Sequence, residues 1–93
     1  MKPEEILEYR ITMDSDRELF HDIAKHLESE MEIVFVKKIN GLDQKYWDFE
    51  LASVRFTLHL EHYLGLSIYS NDLSDESKSR LKSIEEVIKS KFK

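Results

Sequence analysis

Two segments, Lys45 to Leu51 and Val54 to Glu61, place Trp47, Phe49 and Leu51, and Val54, Phe56, Leu58 and Leu60, at alternate positions and are separated only by Ala52-Ser53. Successive side chains of a strand point to opposite faces, so this period describes two strands with one buried face each and excludes a helix. Trp47, Phe49 and Leu51 form the inward set of the first; Val54, Phe56, Leu58 and Leu60 form that of the second. A reversal at Ala52-Ser53 places Glu50 opposite Arg55, Phe49 opposite Phe56 and Trp47 opposite Leu58, so charge and aromatic pairing agree with the pleat. Ala-Ser is a poor pair for a two-residue primed turn, which leaves a longer loop as the alternative.

The rest of the chain is organised around this hairpin. Leu7, Tyr9, Ile11 and Met13 alternate with Glu8, Arg10 and Thr12 and predict a half-buried strand over residues 6–13. Ser15, three residues before Glu18, predicts a capping box, and Leu19, Phe20, Ile23, Ala24, Leu27 and Met31 then recur at helical spacing. Ile33-Val34-Phe35-Val36 is a continuous β-branched and apolar run, expected as the most buried, central strand, with Asn40-Gly41 turning the chain back. Gly65 marks a turn or bulge before a last strand carrying Leu66 and Ile68 inward. Ser74 is the expected N-cap of a final helix with Leu81, Ile84, Val87, Ile88 and Phe92 on its apolar stripe. The expected fold is α+β, a two-layer sandwich in the order β-α-β-β-β-β-α, with a mostly antiparallel sheet and two helices on one face. The first helix is expected to cross over between parallel strands one and two.

A chain of 93 residues holds one hydrophobic core, so a single α/β domain over 1–93 is expected. It has no cysteine, which excludes disulfides and thiolate chemistry and suits a reducing compartment. The start lacks an apolar leader core, and no apolar run approaches membrane-spanning length, so a cytoplasmic protein without membrane contact is expected. A net charge of −5 disfavours nucleic acid. The cations Lys78, Arg80, Lys82, Lys89, Lys91 and Lys93 gather where they suit the negative end of the last helix, not in a separate basic face.

The open sheet face is expected to carry Tyr46, Asp48, Glu50, Arg55, Thr57, His59, Glu61, Ser67 and Tyr69. Tyrosines among carboxylates suit protein recognition, since tyrosine gives large contact area at low entropic cost, although an ordinary solvated face has the same composition. Ser67, His59 and Asp48 fall on neighbouring strands in the order of a nucleophile, base and orienter. A flat face, however, supplies neither a dry cleft nor oxyanion donors. His59 and Glu61 share a face as two metal-ligand types, but His62 then points away or sits in the turn, and His21 and His26, five apart on a helix, do not converge. No metal, cofactor or catalytic residue is therefore assigned.

The segments Gly41-Leu42-Asp43-Gln44-Lys45-Tyr46-Trp47-Asp48-Phe49 and Leu58-His59-Leu60-Glu61-His62-Tyr63-Leu64-Gly65-Leu66-Ser67-Ile68 resemble the central hairpins of small bacterial toxin-immunity proteins. The resemblance implies a non-enzymatic cytoplasmic protein that neutralises one cognate toxin, often a nuclease, by tight binding. That class has no shared functional residues to carry over. The expected partner-binding residues come from the face itself and the loop entering the last helix: Tyr46, Asp48, Glu50, His59, Glu61, Tyr69, Asp72, Asp75 and Glu76, meeting a basic toxin domain. The alternatives are an adaptor or regulatory domain that binds a protein or itself through a sheet edge, and a small hydrolase built on Ser67, His59 and Asp48.

Overall fold

The computed structural model describes residues 6–92; residues 1–5 and Lys93, and with them both ends of the expected domain, lie outside the described residues. The elements are β1 (Leu7–Thr12), α1 (Arg17–Met31), β2 (Phe35–Asn40), β3 (Gln44–Leu51), β4 (Val54–Glu61), β5 (Gly65–Ser70) and α2 (Asp75–Phe92). The five strands make one sheet in the order β1-β5-β4-β3-β2, and every neighbouring pair is antiparallel. Both helices pack on one face. Phe49, Phe56, Leu58, Leu66 and Ile68 of the sheet are fully buried beneath Phe20, Ile23 and Leu27 of α1 and Ile84 and Ile88 of α2. Each such side chain contributes about 1.5–3 kcal/mol through removal from water.

The central hairpin has the expected register: Glu50 opposes Arg55, Phe49 opposes Phe56 and Trp47 opposes Leu58. The reversal is made at Ala52-Ser53 itself, and both residues take left-handed backbone, φ 52° and 70°. A two-residue turn of this hand matches the twist of the flanking strands, so the hairpin imposes it on residues that do not favour it. Ser74 caps α2, its hydroxyl accepting from Ser77 N–H at 3.1 Å.

Four expectations are corrected. The Ile33–Val36 run does not form a central strand, because β2 is an edge; Ile33 is buried, but Val34 and Val36 are 68% and 52% exposed. Ordinary alternation puts Phe35 against the core and Val36 in solvent, and a bulge between Phe35 and Lys37 then reverses the parity so that Lys37 faces outward opposite Asp48. β1 and β2 run in the same direction but occupy opposite edges, so α1 crosses the whole sheet instead of joining neighbours. Asp16, not Ser15, is the N-cap of α1, accepting from Leu19 N–H at 3.0 Å; Ser15 instead donates to the carbonyl of Glu61 at 3.0 Å and to that of His62. Met13 is exposed, since a bulge between Arg10 and Thr12 ends the alternation of β1.

Candidate partner-binding face

On the face away from the helices, strand register lines the outward side chains into rows. One row runs Arg10, Ser67, His59, Tyr46, Ile39 from β1 to β2, and the next runs Glu8, Tyr69, Thr57, Asp48, Lys37. His59 stands at the centre. Its ring stacks on Tyr46 at 4.5 Å between centroids and meets Tyr69 edge-on at 5.7 Å. Packing of this kind fixes the three rings relative to one another.

His59 Nε2 lies 3.2 Å from Glu61 Oε1, yet it is buried without a properly directed hydrogen bond. Burial between the rings pushes the His59 pKa below its ordinary value, against the opposing pull of Glu61, so the imidazole is held neutral at pH 7. Burial likewise raises the Tyr69 phenol. The acids are engaged within the face. Arg55 reaches Glu50 at 3.1 Å and Asp48 at 3.6 Å, Thr57 Oγ1 donates to Asp48 Oδ1 at 2.7 Å, and Arg10 pairs with Glu8 at 3.3 Å. The face is thus less acidic than its carboxylates alone suggest, and Glu61, beside a neutral histidine, is the least compensated of them.

Tyr46, Asp48, Glu50, His59, Glu61 and Tyr69 are therefore brought together as expected. Asp72 joins them at one end, where Arg55, Thr57, Tyr69, Asn71 and Asp72 line a shallow cleft of about 420 Å³. Its carboxylate accepts from Ser74 N–H at 2.9 Å, and this backbone bond lowers its pKa. Asp75 and Glu76 are not part of the cluster: they sit in the first turn of α2, in the helical layer, and Glu76 pairs with Arg80 at 2.8 Å. Negative charge there complements the helix dipole. Glu8, Arg10, Lys37 and Ile39 complete the face and were missed. The parity of Glu8 and Arg10 was readable, but that of Lys37 and Ile39 is set by the bulge after Phe35, and which strands flank β5 and β3 was not readable.

No side-chain hydrogen bond links Ser67, His59 and Asp48 to one another. Ser67 is opposite His59 in the ladder, but Asp48 is held by Thr57 and Arg55, and His59 Nε2 faces Glu61. Among the described residues no group of three or more His, Asp or Glu converges as metal ligands, and no helix is long and apolar enough to cross a membrane.

A family model described as Protein of unknown function (DUF3630) matches residues 3–86. The chain belongs to the DUF3630 family. No curated protein and no solved structure matches it. The match to the DUF3630 model takes in all five strands and the first two thirds of α2, so both rows of the open face fall inside it.

Proposed function

We propose that this DUF3630 chain is a non-enzymatic domain that binds a protein partner on its open sheet face. The observation that carries this reading is the preassembled Tyr46, His59, Tyr69 cluster, framed by Asp48, Glu50 and Glu61 on the sheet face away from both helices. Rigid aromatics ringed by polar groups are the usual composition of binding hot spots, and they lose little entropy on contact. With Glu61 incompletely compensated and a chain charge of −5, a basic partner surface is favoured in encounter. The narrower reading, an immunity protein that covers a basic toxin, is supported by the sequence resemblance of residues 41–49 and 58–68. It predicts a toxin-like reading frame beside this one.

The test is capture from the native cell with the parent chain and with Tyr46→Ala in parallel, followed by mass spectrometry and kinetics on whatever the parent retains. A partner with a basic surface whose dissociation quickens by about tenfold or more in Tyr46→Ala supports the reading. A partner held equally by both places the interface elsewhere.

A further inference from the structure

At one end of the sheet the β1–α1, β2–β3 and β4–β5 loops meet, and large apolar side chains there stand in solvent: Leu42 is 90% exposed, Tyr63 84%, Met13 66% and Leu64 45%. Singly exposed apolar residues need no explanation. These differ because the backbone beneath them is pinned from three sides. Arg17 donates to the carbonyl of Leu42, Arg10 Nη1 to that of Leu64 at 2.9 Å, and Ser15 to those of Glu61 and His62. His62 N–H closes the set on the Asp43 carbonyl at 3.0 Å. Gly65, at φ 83°, lets β5 start so close to Thr12 and Met13 that any side chain would strike their backbone. The tip is a fixed apolar surface, and the same loops and the first turn of α1 carry four exposed acids, Asp14, Asp16, Glu18 and Asp43, against Arg17 and an Arg10 already paired with Glu8.

We propose that this tip anchors a protein partner bearing an apolar hollow rimmed with lysine or arginine. The proposal rests on the protein-binding function above and moves the partner's tightest contacts to Leu42 and Tyr63, with Glu61 joining the tip to the open face. Charge decides the kind of partner. An acidic collar is repelled by anionic lipid, and membrane-seated apolar loops favour basic neighbours. A second copy in two-fold contact would bring the same acids against each other.

The test uses the whole isotope-labelled chain and an amphipathic peptide of lysine and leucine, with an all-lysine peptide and neutral phosphatidylcholine vesicles as comparators. The amphipathic peptide is expected to shift amides of residues 13–17, 41–44 and 61–65. Leu42→Asp combined with Tyr63→Ser should weaken it by about tenfold or more without moving the unfolding midpoint, since both side chains are exposed. Equal binding of the all-lysine peptide, shifts confined to other residues, or vesicles perturbing the tip when the peptide does not, would each overturn the proposal. Weakening by Tyr46→Ala but not by the tip pair keeps the open-face function and removes the anchor. Weakening by the tip pair alone keeps the anchor and removes the open-face function, and weakening by neither removes both.

Discussion

At the scale of single residues, His59 links the open face to pH. Burial holds its folded pKa below the ordinary histidine value, near 6.5, so the unfolded chain takes up this proton first as pH falls. Its contribution to stability is therefore complete above about pH 6.5 and is lost as pH drops from there toward the folded pKa. Comparing unfolding of the parent with His59→Gln isolates this term: the parent should lose more stability between neutral and mildly acidic pH, and parallel curves would mean that Glu61 cancels the burial. Trp47 makes the second case. It meets Phe20 and Phe35 edge-on at 5.0 and 5.4 Å, donates Nε1–H to Asn40 Oδ1 at 2.9 Å, and lies under Lys38 Nζ at 4.3 Å. Partly exposed, it should cost about 3 kcal/mol on truncation to alanine, below the ~3–5 kcal/mol of a fully enclosed aromatic such as Phe49. Chemical denaturation measures both, and a Trp47→Ala loss under about 1 kcal/mol would show that the helical side does not depend on the indole.

At the scale of elements, the β3–β4 hairpin was legible because three independent cross-strand pairs agree on a single register, and a one-residue slip would break all of them. That strength also explains a local defect. Ala52 and Ser53 are forced to φ 52° and 70°, where a side-chain-bearing residue loses about 1–2 kcal/mol. Ala52→Asn with Ser53→Gly, the pair this turn prefers, should therefore raise stability by about 1–2 kcal/mol with unchanged circular dichroism. No gain would mean that the unfolded chain recovers through glycine's added freedom what the turn releases. The Ile33–Val36 run was misread for the opposite reason. A continuous apolar run carries no parity of its own, and here the pleat of an edge strand sends alternate members to opposite environments, Ile33 and Phe35 inward and Val34 and Val36 outward. The α1 cap moved by one residue because Ser15 is engaged by Glu61 and His62, partners that only the folded topology brings near.

At the scale of the whole molecule, the same distinction separates what was readable in the proposed binding surface from what was not. Tyr46, His59 and Tyr69 follow from strand parity, a local property. The tip at Leu42 and Tyr63 follows from three loops converging, which depends on strand order. Strand order also leaves β2 as an open edge, with Val34, Val36 and Ile39 exposed beside it. An edge with unpaired backbone groups and apolar side chains is a template for pairing with another chain. Three features oppose that here: the bulge at Phe35/Lys37, the adjacent cations Lys37 and Lys38, and a chain charge of −5 that repels copies at distance. Lys38 is engaged with the Trp47 ring, so Lys37, on the outer side opposite Asp48, is the charge that can be removed without disturbing the core. Lys37→Ile should extend the apolar edge and raise the average mass in sedimentation above that of the parent at equal concentration. The difference should widen with salt, because screening weakens the long-range repulsion while leaving backbone pairing and apolar burial intact. A variant that sediments like the parent at every salt concentration would assign protection of the edge to the bulge, and Val36→Thr, which leaves the backbone irregularity in place, should then be equally silent.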